Sequence, residues 1–396
     1  MMKKLFFLCL ALLSLALCAA AEPARDVTPE CVFQLSYVAT KLKYMTDRNY
    51  ETVMESKQLL EPQLIITPSE TPVAGVYVEF GKTRLPFRVQ VKEGGSWVTV
   101  AESEGRFAQE YVAFPSIDQQ FRLDFETGGH GKFLHISEFT LLSAGEIDES
   151  KIHIWQDTVE KADLMITVAH PDDELLWLGG CIPYYTKARQ MNVLVTYLTC
   201  GKSWRELELL NGLWHCGVRN YPAIAYFNDF KCYTAEQAYE KWNRAQLYQY
   251  LVKLIRAHKP EVIVTHDFKG EYGHGQHVAC AYSTQRAVNY AANPEYHTAS
   301  VRDYGVWQTK KLYAHLGAEY TTVMDWHQPL DCFNGKTSFE IASEAYQMHI
   351  SQLDGDTYYE VADRGTAYDS FVYTLVQSAV GEDTQGGDLF ENIPAK

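Results

Sequence analysis

The chain has little positive charge for its length and no long apolar run after its first residues. It holds 35 lysines and arginines against 50 aspartates and glutamates, for a formal net charge of -15 at pH 7. This acidic balance argues against nucleic acid or an anionic membrane as a partner. Beyond the amino terminus no stretch is long and apolar enough to span a bilayer, so no transmembrane segment is predicted there.

Paired cysteines and several common catalytic motifs are also missing. The nine cysteines include no CxxC pair, and their scattered spacing does not predict a disulfide framework. Neither a glycine-rich dinucleotide motif nor a Gly-x-Ser-x-Gly turn occurs, which disfavours dinucleotide redox chemistry and serine hydrolysis.

The first 21 residues have the three-part layout of a secretory signal peptide. Two lysines precede an apolar run over 5–17, and alanines at 19–21 offer a cleavage site. Cys18 raises the alternative of lipid attachment, but Leu17 before it is larger than such a signal favours. We therefore expect a secreted or cell-surface protein that has lost residues 1–21, with a formal charge of -17 once the two lysines are gone.

Short alternating strands separated by turns predict an all-β sandwich domain over residues 26–145. A helical pattern competes only near residues 39–44. The predicted strands are 75–80, 87–91, 97–100, 121–125 and 136–141.

Parts of this segment resemble the galactose-binding-like, discoidin-type jelly rolls. The matching stretches are 45–52, 121–123 and 134–139. The resemblance implies a jelly-roll sandwich, and such modules often bind glycans through exposed aromatic loop residues. A purely structural module is the alternative, because a fold does not determine a function.

Beyond a polar linker at 145–150, strand and helix patterns alternate and predict an α/β domain over 155–396. That alternation is typical of a parallel sheet with helices on both faces. The predicted strands are 164–168, 193–198, 224–227 and 262–265, and the predicted helices are 174–190, 204–216, 235–257 and 277–291.

Two histidine-containing segments follow two of these strands. Residues 169–174 read Ala-His-Pro-Asp-Asp-Glu after the strand 164–168, and residues 270–277 read Gly-Glu-Tyr-Gly-His-Gly-Gln-His after the strand 262–265. Both segments should emerge at the carboxyl edge of the sheet, where open α/β sheets bind their ligands.

The spacing within these segments predicts a metal site. His170 and Asp173 are three residues apart where a strand turns into a helix, so both can converge on one point, while Asp172 must point elsewhere. One imidazole of His274 or His277 completes a two-histidine, one-carboxylate set with an open position, as in catalytic zinc sites. The same set also holds Fe(II), so Zn²⁺ is the expectation and Fe²⁺ the alternative.

A divalent ion in such a site lowers the pKa of a bound water to about 7. A carboxylate that is not a ligand can then take the proton, and Asp172 fits that role. The plainer interpretation is that acids after a strand cap a helix and that His-x-x-His lies on a surface. Finding both segments at the ends of two parallel strands favours the metal site.

In these motifs the chain resembles the PIG-L (LmbE-like) de-N-acetylases, over roughly residues 160–393. The matching stretches are 169–174 with the glycines at 179–180, 205–208 leading to 216–218, 266–277 and 389–393. The two main motifs are specific in combination.

The resemblance implies a Rossmann-like fold and zinc-dependent hydrolysis of the acetamide on a glucosamine unit, releasing acetate and a free amine. By position, it makes His170, Asp173 and His277 the metal ligands and Asp172 the general base.

The remaining carried-over residues concern the substrate. His274 would stabilise the tetrahedral oxyanion or protonate the leaving amine, and Tyr272 would take the place of a mobile tyrosine that contacts the substrate. Arg205 and Asp229 fall near where the family holds the sugar hydroxyls. Tyr272 could instead be a packing residue, and Arg205 could pair with Glu208 along a helix.

The sequence thus predicts a secreted zinc hydrolase that deacetylates N-acetylglucosamine-containing glycans or glycoconjugates. One alternative is a metal-dependent amidohydrolase acting on a non-sugar N-acyl substrate. Another is an inactive secreted glycan-binding protein, although an intact ligand set argues against it. The sequence predicts no oligomeric state.

Overall fold

A β-rich part is followed along the chain by a larger α/β part. The structure is a computed structural model that describes residues 22–36, 39–56, 61–128, 133–317, 319, 321–353 and 359–394. The predicted signal peptide at 1–21 lies outside these residues. Within the described ranges, no helix combines the length and the apolar character needed to cross a bilayer.

Ten of the described strands precede residue 143 and form two antiparallel sheets. Their order is β1-β4-β9-β6-β7 in one sheet and β2-β3-β10-β5-β8 in the other. The strands are β1 (Cys31–Leu35), β2 (Ala39–Thr40), β3 (Met54–Ser56), β4 (Gln63–Pro68), β5 (Val73–Phe80), β6 (Phe87–Glu93), β7 (Ser96–Ser103), β8 (Gln109–Ile117), β9 (Phe121–Phe125) and β10 (His135–Leu142).

The two sheets share one apolar core, which confirms the predicted all-β sandwich. Val76 and Val78 of the second sheet are buried in the same cluster as Leu64 and Leu123 of the first. Side chains two residues apart point to one face of a strand, and the inward faces of both sheets supply this core.

The α/β part contains a seven-stranded sheet with the order β13-β12-β11-β14-β15-β17-β16. The first five strands are parallel, and β17 runs antiparallel to both of its neighbours. This confirms the Rossmann-like, mostly parallel sheet. The strands are β11 (Leu164–Val168), β12 (Val193–Thr199), β13 (Ala223–Phe227), β14 (Val262–Thr265), β15 (Lys311–His315), β16 (Thr322–Val323) and β17 (Val372–Ser378).

Helices cover both faces of this sheet, as predicted. Leu164 and Ile166 of β11 pack in one core with α3 and α8, whereas Met165 packs in a second core with α5 and α6. Burial on both faces explains the continuous apolar run of β11. The helices are α1 (Asp173–Leu176), α2 (Cys181–Pro183), α3 (Ser203–His215), α4 (Ala235–Lys241), α5 (Arg244–His258), α6 (Gly275–Ala292), α7 (Thr298–Tyr304) and α8 (Ser338–Tyr346), with a π-helical turn at Tyr184–Ala188 and 3-10 helices at Thr28–Glu30, Leu42–Met45, Glu271–Gly273, Asp331–Phe333 and Ile350–Gln352.

The single long helix predicted over 235–257 is wrong, because α4 and α5 are separate helices. Trp242 has extended backbone angles, and its buried indole donates to the carbonyl of Asn228 at 2.7 Å. The Asn243 side chain then caps α5 by accepting a first-turn backbone N–H. A tertiary contact and a new cap thus interrupt a continuous helical pattern.

The helix predicted over 174–190 is also interrupted, at the two glycines. Gly179 has a φ of +51°, and a Cβ on Gly180 would lie 2.8 Å from the Cβ of Ser338. Close packing against α8 therefore requires glycine at position 180, and the positive φ breaks the helix.

Buried polar contacts attach the sandwich to α3. The Gln109 amide donates to Asn211 at 2.7 Å, and the Asn211 amide donates to the Tyr50 hydroxyl at 3.0 Å. Gln109 also accepts from the indole of Trp155 at 2.8 Å. These contacts place the sandwich against the α/β part, while the domain limits 26–145 and 155–396 stay predictions.

Candidate metal centre

The two histidine-containing segments meet at the carboxyl edge of the sheet, between β11 and β14. These strands are parallel neighbours, with Thr167 opposite Thr265, so the loops after them begin side by side. The strand order reverses between β11 and β14, and such a reversal leaves a crevice in an open α/β sheet. His170 closely follows β11, while His274 and His277 lie at the start of α6.

Three side chains point their donor atoms at one position in this crevice. His170 Nδ1 lies 3.0 Å from Asp173 Oδ2 and 3.2 Å from His277 Nε2. His277 Nε2 lies 3.3 Å from Asp173 Oδ1. Bonds of about 2.0–2.1 Å to a tetrahedral ion place ligand atoms roughly 3.3 Å apart. The three residues therefore fit a zinc-type site, and all of them are buried.

Hydrogen bonds on the far side of each ring set which imidazole nitrogen faces that position. His277 donates from Nδ1 to Glu271 at 2.8 Å, which leaves its Nε2 lone pair free for a ligand bond. His170 Nε2 lies 2.7 Å from the Gln276 side-chain oxygen. Because the Gln276 amide nitrogen donates to the Asn228 carbonyl at 2.8 Å, His170 must donate from Nε2, and its Nδ1 is free.

Asp173 is held in place and kept ionised. Its Oδ1 accepts from the Trp177 indole at 2.9 Å, and its Oδ2 accepts from the backbone N–H of His170 at 2.8 Å. Burial raises the pKa of Asp173, but the imidazoles of His277 and His170 hold it well below its usual range. The carboxylate is therefore ready to act as a ligand.

Glu271 connects three imidazoles beneath this position. Its fully buried carboxylate accepts from Nδ1 of His266 at 2.7 Å, His277 at 2.8 Å and His315 at 2.7 Å. Partners of this kind orient metal-binding histidines and raise their basicity.

His266 lies close to the donor atoms but does not fit as a ligand. Donor atoms of Asp173, His266 and His277 lie within 4.8 Å of one another. His266 Nε2, however, accepts the backbone N–H of Ala169 at 3.0 Å, while its Nδ1 donates to Glu271. Both ring nitrogens are thus used, and His266 acts as a support.

Asp172 pairs with Arg205 and is not one of the three convergent side chains, and its backbone is strained. Its φ of +102° lies outside the usual range for a residue with a side chain. The Glu174 carboxylate accepts its backbone N–H at 2.9 Å, and Arg205 donates to its Oδ2 at 3.0 Å. Burial raises the pKa of the Asp172 carboxyl to about 6.

His274 is neutral, and one of its ring nitrogens lies within 4.8 Å of ring nitrogens of His170 and His277. Its Nδ1 accepts the backbone N–H of Gln276 at 3.3 Å, so the proton lies on Nε2. Burial, and then the neighbouring His170 and His277, lower the pKa of His274 to about 3. Its ring centroid is 4.8 Å from that of His170, and a neutral ring there can donate a hydrogen bond.

Tyr272 lies next to the two histidines at the start of α6. Its ring centroid lies 5.6 Å from that of His274 and 5.2 Å from that of His277. It also stacks on Tyr359 at 5.2 Å, yet 41% of the residue is exposed. Tyr272 therefore both packs and faces solvent.

Arg205 links the loop after β11 to the loop after β13. Besides Asp172, it donates to the carbonyl of Pro171 and lies 3.6 Å from Asp229 Oδ2. The other Asp229 oxygen lies 3.6 Å from His170 Nε2. The two residues predicted to hold sugar hydroxyls thus lie against residues of the centre, Arg205 against Asp172 and Asp229 against His170.

Every predicted site residue lies at this edge of the sheet, and the roles given to them stay predictions. The alternative pairing of Arg205 with Glu208 is wrong, because the Glu208 carboxylate accepts from Ser351 at 2.7 Å. The residues brought together are His170, Asp172, Asp173, Arg205, Asp229, Tyr272, His274 and His277.

Comparison with known families identifies the part of the chain that carries this centre. A family model described as GlcNAc-PI de-N-acetylase (PIG-L) matches residues 165–288. Residues 165–288 form a PIG-L domain. The matched range includes all eight of these residues, whereas the sandwich lies outside it.

The PIG-L domain is similar to proteins of known sequence over part of their length. Uncharacterized protein L374 of Acanthamoeba polyphaga mimivirus is 32% identical over 136 residues, covering 31% of this chain and 56% of the relative. The 1D-myo-inositol 2-acetamido-2-deoxy-alpha-D-glucopyranoside deacetylase 1 of Catenulispora acidiphila is 28% identical over 183 residues, covering 38% of this chain and 54% of the relative. The chain thus spans little more than half the length of these two relatives.

Among solved structures, the N,N'-diacetylchitobiose deacetylase of Pyrococcus horikoshii is similar at 17% sequence identity with a TM-score of 0.37. The match covers 53% of this chain and 77% of that chain.

Four residues that the sequence interpretation left without a role support the PIG-L centre, namely Glu174, Trp177, Glu271 and Gln276. Trp177 lies four residues after Asp173, a spacing that puts two side chains on one helix face, so it could have been found. Glu271 lies inside the second motif, but nothing in the pattern shows that one carboxylate reaches three imidazoles. Gln276 carries no sequence signal.

We expect Gly275→Ala to disturb the PIG-L centre. A Cβ on Gly275 would lie 2.4 Å from the carbonyl oxygen of Thr234, so the start of α6, which carries His274 and His277, must shift. Overpacking of this kind costs about 1–3 kcal/mol. Thermal unfolding should show a lower Tm, and zinc titration a weaker affinity. Gly387→Ala, which meets nothing within 4 Å, is the control and should leave both unchanged.

Proposed function

We propose that the chain is a secreted, zinc-dependent hydrolase that removes the N-acetyl group from N-acetylglucosamine-containing glycans or glycoconjugates. The observation that carries the proposal is the convergence of His170 Nδ1, Asp173 and His277 Nε2 at 3.0–3.3 Å beside the uncoordinating carboxylate of Asp172. The PIG-L domain and a relative named as a deacetylase of a 2-acetamido-2-deoxy-glucopyranoside support the substrate class.

The side chains divide the chemistry among them. His170, Asp173 and His277 would hold a divalent cation, which when bound would supply Lewis-acid activation of a water molecule at neutral pH. Asp172 accepts the proton of the attacking water on the carboxylate that Arg205 orients. Water oxygen adds to the acetamide carbon, and the neutral imidazole of His274 donates a hydrogen bond from its Nε2–H to the carbonyl oxygen as that oxygen becomes negative.

The same groups complete the reaction. Because neutral His274 has no second proton to release, Asp172 returns its proton to the amide nitrogen as the carbon–nitrogen bond breaks. Acetate and a free amine result. Arg205 and Asp229 bind sugar hydroxyls beside the cation, and Tyr272 covers the acetamide from the far side of the loop.

Export and a sandwich that helps to place the substrate belong to the same proposal. The signal-peptide layout of residues 1–21 supports export. The sandwich lies against α3, the helix that carries Arg205, which supports a role in placing the substrate.

Mass spectrometry of the mature protein should find its amino terminus just after Ala21.

Removing the metal is expected to stop acetate release. The purified protein, incubated with N-acetylglucosamine oligomers, should release acetate, lose that activity with a chelator and regain it with Zn²⁺. Parallel titration with Fe²⁺ identifies the better metal. Activity that survives complete chelation, verified by elemental analysis, contradicts the metal mechanism.

The same assay separates the substrate alternatives. Turnover of simple N-acyl amides at rates above those for the sugar oligomers would favour the non-sugar amidohydrolase. Binding of zinc and oligomers without acetate release from any acyl substrate would favour an inactive glycan-binding protein.

A further inference from the structure

Tyr226 combines backbone strain with an exposed aromatic ring. It lies in the edge strand β13, where two residues between Ile224 and Phe227 face one residue of β12, so the strand forms a β-bulge. Its φ is +54°, and 54% of the residue is exposed. Strain of this kind costs free energy and concentrates at functional sites, where bulges re-aim side chains.

Two charged residues hold the hydroxyl end of this ring. Tyr226 Oη donates to Glu206 Oε2 at 2.9 Å and accepts from Arg84 Nη2 at 3.0 Å. Glu206 is buried in α3 and also accepts from Tyr221 at 2.8 Å, while Arg84 belongs to the sandwich. The hydroxyl is thus fixed to both parts of the protein, although more than half of the residue is exposed.

Tyr226 lies near the end of β13 (Ala223–Phe227), and the loop that follows this strand reaches the metal centre. Asp229, three residues further along the chain, is 3.6 Å from both Arg205 and His170. Three residues of extended chain span at most about 11 Å. Glu206, which holds the ring, also follows directly after Arg205. The backbone of Tyr226 therefore lies within about 11 Å of that of Asp229, on the β13 side of the centre.

We propose that Tyr226 is a binding subsite for the sugar unit linked to the one that is deacetylated. This inference rests on the proposed function and narrows its substrate to chains of at least two units. A pyranose ring presents a face of C–H bonds that packs on an aromatic face, while its hydroxyls stay in water. Tyr226 is held at its hydroxyl end while 54% of the residue is exposed, so it offers such a ring, and sugar binding gives its strained, exposed conformation a function.

The test compares Tyr226→Ala and Tyr226→Phe with the parent protein on N-acetylglucosamine and its β-linked dimer and trimer. Stacking of one ring is expected to contribute about two- to tenfold. In Tyr226→Ala the ratio of kcat/KM for dimer over monomer should fall by about that factor, through KM. Tyr226→Phe keeps the ring and should keep most of the ratio. Tyr304→Ala, another exposed tyrosine, is the control.

Calorimetric binding of the trimer keeps this inference separate from the deacetylase proposal. Trimer binding that weakens in Tyr226→Ala but not in Tyr304→Ala supports the subsite, even if no acetate is released. A lower Tm in both Tyr226 variants with an unchanged dimer-to-monomer ratio and trimer affinity would overturn it, because Tyr226 would then only join the sandwich to α3.

Discussion

Replacing Asp172 with asparagine is expected to lower kcat for deacetylation by about 10²–10⁴-fold, the range typical for loss of a general acid–base group. The amide cannot take a proton from water. It can still accept the Arg205 hydrogen bond that the carboxylate accepts at 3.0 Å, and asparagine is among the residues that best tolerate a positive φ. The substitution therefore removes the base with little change in shape.

The readouts must distinguish a lost base from a damaged site. The Asp172→Asn variant should bind zinc as tightly as the parent, because Asp172 is not one of the three convergent ligands, and its KM should change little. Asp325→Asn, an exposed aspartate on another segment, is the matched control. If Asp172→Asn retained more than a tenth of kcat with full zinc content, Asp172 would not be the base.

Asp173→Asn should lose zinc affinity by more than a hundredfold and lose activity with it. Asp173 supplies the only carboxylate among the three convergent side chains, and its charge compensates the cation. Losing a supporting residue costs about 10–100-fold, so losing a ligand should cost more. Equilibrium titration with zinc measures the affinity directly, independently of catalysis.

Glu271→Gln should weaken zinc binding less than Asp173→Asn does in the same titration. Glutamine has a single acceptor oxygen where the carboxylate accepts from three imidazoles, so at least one imidazole loses its partner. Zinc affinity should fall by about 10–100-fold, between the parent and Asp173→Asn. Glu340→Gln, at an exposed helix cap, should leave the affinity unchanged. Equal affinities for Glu271→Gln and the parent would contradict the supporting role.

The parallel sheet and the location of the centre followed from local patterns. Apolar runs of strand length alternating with helical periodicity predict a parallel sheet, and the polar residues directly after β11 and β14 must then emerge at one edge. That reasoning brought His170, Asp173 and the His274–His277 pair together. It left the choice between the two imidazoles to family resemblance, since both begin the same helix.

Helix limits were predicted less well, because they depend on contacts between distant segments. The helical pattern over 235–257 continues through Trp242, yet the indole of Trp242 bonds to Asn228 in another loop and the helix divides there. The break at Gly180 has the same kind of cause. It depends on close packing against Ser338 of α8, and no residue near position 180 indicates that packing.

The sequence by itself determined which residues can bind a cation and that they share one sheet edge, because strand and helix periods are local properties. Only the tertiary structure decided which nitrogen of each imidazole faces that position, since Glu271 and Gln276 orient the rings through hydrogen bonds. It also decided that Arg84 of the sandwich reaches Tyr226 on β13. Those contacts join residues far apart in the chain, and only the packing of the folded chain sets their distances.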